Sequence, residues 1–365
     1  MTIMDTPCKN SLLCIALVLM ANLMMGQERV SKTISETFEM TNAGEFQIEN
    51  KYGNITIHGW SKNNIAITVD IVTSHKKREN AQNLLDRIEP IIKTMSDFVA
   101  ITSEISEKNK GFLAEYFNKA NPFDFDRSNV QINYSIYLPA NAVVDINNKF
   151  GDVILEDWTG KLKIDVQHGD IWINKNLKNA DITLKYGKLR AKNINFGSIN
   201  LKNGSLSLGK SKDLRLTSSG SAIDLEEISS LEIYSSKDEI TIDAVEDIHG
   251  ALEFSNVTLE NMDDEIDLVM KIAEFKVMNI HSADAKIKIQ QQSSEIVLNV
   301  QDFSFRFNAT LEEGLLRLPK TFENVETQMI DKGKRIRDIK ATYGNSKQGS
   351  ISITGEKGVI LLKEL

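Results

Sequence analysis

Three carboxylates, Asp152, Asp165 and Asp170, share one short stretch with the indole of Trp172. Paired acids beside an aromatic ring that can stack on a sugar are what a glycan-cleaving site needs. One acid protonates the leaving oxygen while the other attacks or activates water. Such a site on a repetitive chain would keep its charges on one external face. Here the places equivalent to Asp152 and Asp170 are next filled by Lys188, Ser205 and Ser221, so the column is broken and mixed in sign. These carboxylates, and the run Asp263-Asp264-Glu265, read as solvated turn residues.

His168 lies between Asp165 and Asp170, and its neighbourhood repeats. Phe150-Gly151-Asp152-Val153 returns as His168-Gly169-Asp170-Ile171, and the place of His168 is held elsewhere by Phe150, Tyr186 and Tyr52. A side chain that alternates with aromatics is expected to pack over a turn rather than carry protons. The five histidines, His58, His75, His168, His249 and His281, never fall three or four apart as metal ligands on one helix face would. Asp124-Phe125-Asp126-Arg127-Ser128-Asn129 starts like a calcium loop, but Asn129 stands where glycine belongs and Ser135 where glutamate belongs. Gly344-Asn345-Ser346-Lys347-Gln348-Gly349-Ser350 has phosphate-loop glycine spacing without lysine before the serine, and strands follow it. No catalytic, metal or cofactor site is expected, and the chain is read as not an enzyme.

Bulk properties narrow the partners. A net charge of −8, with no basic run longer than Lys76-Lys77-Arg78, argues against nucleic acid. Residues 1–26 place Lys9 before an apolar run from Leu12 to Met25 and end on Gly26. That is the layout of a secretory signal peptide, and the run is short for a span. Both cysteines, Cys8 and Cys14, lie in this leader, so the exported chain would hold no disulfide and no thiolate site.

The elements that must position any site follow from periodicity. Residues 27–140 read as strands with a helical insertion and an irregular excursion. Phe46, Ile48, Ile55, Ile57 and then Ile65, Ile67, Val69, Ile71 alternate with polar residues. Ala81, Leu84, Leu85, Ile88, Ile91, Ile92 and Met95 are spaced by three and four. This spacing predicts a helix near 75–95, capped by Ser74 and kinked or split at Pro90. Phe98–Ile105 alternates again, Glu107–Asn129 has no clear period, and Val130–Leu138 resumes.

Residues 141–365 repeat. Gly151, Gly169 and Gly187 are 18 apart, and Gly204 and Gly220 follow at 17 and 16. Each unit is strand, turn, strand, turn. One unit cannot bury its apolar side alone, whereas stacked units cover one another at about 4.8 Å. The expected fold is mainly β, a solenoid like a β-helix of about 18 residues per coil. Glycine is expected to supply positive φ at the turns. A β-sandwich is the competing architecture, disfavoured by the even spacing and short links. Coil ends would need capping against edge-to-edge pairing. Outward positions of successive first strands carry Ile154, Trp172 and Arg190, a candidate docking stripe, unless the helix or the excursion covers it.

Tyr52-Gly53-Asn54-Ile55-Thr56-Ile57, Leu138-Pro139, Asn148-Lys149-Phe150-Gly151-Asp152-Val153 and Gly349-Ser350-Ile351 resemble the "putative adhesin" family of bacterial cell-envelope proteins, a domain of unknown function. The resemblance spans most of the chain after the leader. It implies a right-handed β-helix-like solenoid in the envelope and no activity, and it supplies no catalytic residues. The expected function is therefore a non-catalytic, exported binding or scaffold module. Its ligand would be an envelope component, a glycan or a protein, and it would sit in the periplasm, at the outer surface or outside the cell. A glycan-active enzyme on the same scaffold and an envelope-stress or signalling accessory protein are the alternatives.

Overall fold

The computed structural model of the chain describes residues 27–105, 129–345 and 348–365. The leader, most of the 107–129 excursion and the calcium-like loop except for Asn129 lie outside these residues, as do Ser346 and Lys347. Among the described residues are 25 strands and one helix, and most strand pairs are parallel.

The parallel ladders follow the sequence period. Leu162–Gln167 pairs with Val143–Lys149 on one side and with Ala180–Lys185 on the other, each partner 18 residues away. Strands Ile171–Lys185, Lys188–Lys202, Ser205–Ser219, Ala222–Ser236, Glu239–Glu253 and Asn256–Lys271 then pair in order at offsets of 17 or 18. Because the register holds, equivalent side chains line up. Leu189, Leu206, Ile223, Ile240 and Val257 form one buried column, and Ile182, Ile199, Leu214, Leu231 and Ile248 supply others. Burying each such side chain contributes roughly 2–3 kcal/mol. Their polar neighbours alternate outward, as a period of two requires. These are not the antiparallel pairs of a sandwich.

The turn between the two halves of each layer corrects one expectation. Positive φ belongs to the residue before the glycine: Tyr52 (69°), Phe150 (61°), His168 (58°) and Tyr186 (59°). The glycine answers a different need. A Cβ on Gly151 would lie 2.0 Å from the carbonyl oxygen of Gly53, one on Gly169 1.9 Å from that of Gly151, and one on Gly187 1.9 Å from that of Gly169. Glycine is there because neighbouring backbones touch. Further along, the φ-positive place passes to Asn203, Gly220, Lys237, Phe254 and Ile272. Gly220 therefore belongs to the column of His168, not that of Gly169, which explains the short sequence spacing before it.

Both ends leave the parallel pattern. Glu45–Lys51 and Ile55–Trp60 add a layer to Val143–Lys149 and Val153–Glu156, and Phe98–Ile105 with Val130–Pro139 adds another. On that layer lie antiparallel strands: Asn64–His75 and then Glu28–Glu39 on one side, Ile88–Met95 on the other. At the far end Gly349–Glu356 runs between Lys286–Gln292 and Phe305–Glu312, and Val359–Lys363 between Glu295–Asn299 and Leu315–Arg317. Ile336–Tyr343 and Glu323–Asp331 close that end antiparallel.

The helix is shorter than 75–95. It covers Arg78–Leu85, and Ile88–Met95 is a strand paired with Phe98–Ile105. Proline cannot supply the amide a helix needs at position 90, whereas on an edge strand, paired on one side only, it costs little. Nor does Ser74 cap: Lys77 is the first flanking residue, its side chain makes no capping bond, and Ser74 Oγ meets Asn129 Oδ1 at 3.4 Å. Ala81 and Leu85 anchor the helix against Asn64–His75 and Glu28–Glu39.

Candidate functional site

The residues singled out for chemistry separate once folded. Asp152 and Asp170 do occupy adjacent layers, but each carboxylate holds a backbone amide. Asp152 Oδ1 accepts from the Asp170 N–H and Asp170 Oδ1 from the Lys188 N–H, both at 2.8 Å. The series begins earlier, where Asn133 Oδ1 accepts from the Asn54 N–H and Asn54 Oδ1 from the Asp152 N–H, both at 2.9 Å. This is a ladder of Asn and Asp side chains fastening one turn to the next. Asp165 stands across the turn on the Leu162–Gln167 ladder, in register with Asn147 and Thr183. A carboxylate pair beside Trp172 is therefore not what these three residues form.

His168 sits in a ring stack. Its plane is parallel to Phe150 at 5.0 Å between centroids and to Tyr186 at 4.7 Å, and Phe150 stacks on Tyr52 at 5.5 Å. Lys51 Nζ lies 4.9 Å from the Tyr52 ring centroid. The positive φ shared by these four residues directs their rings outward along one corner, where offset stacking stabilises each pair by roughly 1 kcal/mol beyond area burial. Among the described residues no three His, Cys, Asp or Glu side chains converge as metal ligands.

The stripe is assembled as the alternation requires. Trp172 pairs with Ile154 on one side and Arg190 on the other, and the column continues from Thr56 above Ile154 to Ser207, Asp224 and Thr241 below. Ile154 and Trp172 are half-buried and Arg190 is exposed. The helix packs elsewhere, on the antiparallel strands of the N-terminal end.

An aromatic group beside the stripe escaped sequence reading. His58 is in register with both Tyr137 and Glu156. Its ring stacks on Tyr137 at 4.6 Å, and its Nδ1 lies 3.2 Å from Glu156 Oε2. Trp60 leans on Tyr137 at 5.4 Å, with Lys62 Nζ 4.5 Å from the Trp60 ring. Tyr137 keeps 42% of its surface exposed. Thr56, His58 and Trp60 occupy alternate places in one strand, and that alternation is the sequence signal that marks them as outward.

Asp238 is a second site that sequence alone did not mark. It takes the place of the turn glycine and is 4% exposed. Its oxygens accept from Ser218 Oγ at 2.7 Å, Ser235 Oγ at 2.6 Å and the amides of Ser221 and Ser236 at 2.7 and 3.1 Å. A carboxylate so fully bonded holds a turn together and is not free for a ligand.

No protein-family model matches the chain, and no curated protein is similar to it. Several solved structures share weak likeness. A putative adhesin from Parabacteroides merdae is 8% identical, covering 73% of this chain and 92% of its own, at a TM-score of 0.34. A putative adhesin from Bacteroides fragilis is 12% identical over 91% of this chain and 97% of its own, at 0.26. A putative cell adhesion protein from Clostridium sporogenes is 11% identical over 92% of this chain and 100% of its own, at 0.22.

Proposed function

We propose that the chain is a non-catalytic, exported cell-envelope module, wound as a right-handed β-solenoid, that docks a ligand along Ile154, Trp172 and Arg190. The winding is supported by constant pairing offsets of 17 or 18 residues over successive strands. Export is supported by the leader-like residues 1–26, followed by strands from 27–140 and the repeats of 141–365. No helix of the described residues is long and apolar enough to cross a membrane.

The observation that carries the docking reading is the half-exposed Trp172 set between an aliphatic and a guanidinium side chain on one sheet face. Aromatic and arginine side chains dominate contact energy at recognition surfaces. The His58–Tyr137–Trp60 group widens the same apolar shelf. The glycan-cleaving reading has less to rest on, because Asp152 and Asp170 each hold a turn amide.

The test compares wild type with Trp172→Ala for retention on purified envelope polysaccharides and surface proteins, beside thermal unfolding. The expected outcome is a loss of binding of about tenfold or more with the unfolding midpoint little changed. A lowered midpoint with binding intact would make Trp172 a packing residue and end the docking reading.

A further inference from the structure

The charge pattern below Trp172 names a partner for the stripe, an inference that rests on the docking reading above. Two outward columns run in register through the layers. One is Arg190, Ser207, Asp224, Thr241. By the same alternation Lys192 and Glu226 stand on either side of Gly209. Each column thus has a cation above, small side chains in the middle and an anion below.

These charges are set too far apart to pair within the chain. Cation and anion in the Arg190–Asp224 column are two layers apart, about 9.6 Å. Among the described residues neither Arg190 nor Asp224 has an ion-pair partner within the chain. Where opposite charges come closer they do pair, on the stripe's own face between Lys276 and Glu274 and more often on the other face. There Lys163 meets Asp145 at 2.9 Å, Arg215 meets Glu232 at 2.7 Å and Lys288 meets Asp267 at 2.8 Å, each from the adjacent layer. Adjacent opposite charges neutralise one another. Charges separated by a row of serine and glycine remain available to something else.

We propose that this something is a second copy of the chain, docked antiparallel about a two-fold axis along the Ser205–Ser207 row. That axis leaves each residue's place along the strand unchanged and inverts the order of layers. It sets Arg190 against Asp224 and Lys192 against Glu226 of the second copy, and the reciprocal pairs complete one isologous contact. A parallel arrangement would place like charges together. The small side chains of the middle row let the two sheets approach. Trp172, two layers above the axis, meets Thr241, two layers below it, so the half-exposed indole is covered by a small side chain of the second copy.

Sedimentation of the full chain tests this over a concentration series at low and high salt. Wild type is expected to dimerise, and less so at high salt, since the contact is charge-led. Arg190→Asp alone and Asp224→Arg alone each bring like charges together and are expected to weaken association by about tenfold or more. Mixed in equal amounts, the two variants complement at both contacts and should recover a heterodimer. The double variant, Arg190→Asp with Asp224→Arg, should recover the homodimer. Both residues are on the surface, and the salt series needs no variant at all. A wild type that stays monomeric throughout, or a mixture that does, overturns the second-copy proposal. If that monomer still binds an envelope component through Trp172, the docking reading stands without it. If wild type dimerises and Trp172→Ala changes no binding to envelope components, the reverse holds.

Discussion

At Gly169 the place a Cβ would take lies 1.9 Å from the carbonyl oxygen of Gly151, so any larger residue must force two layers apart. Gly169→Ala is expected to cost about 3 kcal/mol or more, measured by chemical denaturation, because the obstacle is backbone and cannot rotate away. Gly333→Ala, whose nearest neighbour is Asp331 Oδ1 at 3.4 Å, is the matched control and should change little. His168 makes the complementary case. His168→Tyr keeps a ring between Phe150 and Tyr186 and should be tolerated, whereas His168→Ala loses both stacks and about 1–2 kcal/mol. The repeated Gly-Asp phrase was visible in sequence, and so was the interchange of His168 with aromatics. Which residue of the turn takes positive φ was not, because that depends on how closely the next layer approaches.

Among the elements, strands that repeat were legible and those at the ends were less so. An inward set such as Leu206, Leu208, Leu214 and Leu216 announces itself by a period of two. Ile88, Ile91, Ile92 and Met95 satisfy the helical spacing and the strand pattern almost equally, and pairing with Phe98–Ile105 decides for the strand. Register between strands has its own determinant in the charged column of the second face. The Glu232 carboxyl is held below its ordinary range mainly by hydrogen bonds from the Arg215 guanidinium, which is itself raised by that carboxylate. Reversing one partner, Arg215→Glu, places like charges in adjacent layers and should lower the thermal midpoint slightly. Arg215→Glu with Glu232→Arg should recover most of the loss. The difference between single and double variants should shrink in high salt, since both side chains face solvent; a salt-independent loss would point to packing of the Arg215 stem instead.

For the whole molecule, the order of layers is not the order of the sequence. Gly349–Glu356 and Val359–Lys363 enter between strands that precede them in the chain, and each pairs on both sides. The far end therefore cannot be completed until the last residues are present. Ending the chain at residue 348 should leave Lys286–Gln292 and Phe305–Glu312 with open backbone edges and exposed Ile287, Ile289, Phe305 and Phe307. Sedimentation should then show aggregation, and a hydrophobic dye should bind. A monomeric product that unfolds cooperatively would mean that the end closes without these strands. The antiparallel strands Glu28–Glu39 and Glu323–Asp331 form the outermost strands at the two ends.

By itself the sequence determined the repeat, the inward apolar columns and the order Ile154, Trp172, Arg190 along one face. All three follow from alternation and spacing, which are local properties of a strand. Tertiary structure alone decided that Asp152 and Asp170 hold backbone amides, that Asp238 is buried among four donors, and that the closing strands sit inside the stack. Those outcomes depend on which backbone arrives at about 4.8 Å from which: a period of 17 or 18 residues marks the strands that stack, but not the polar atoms that meet between them.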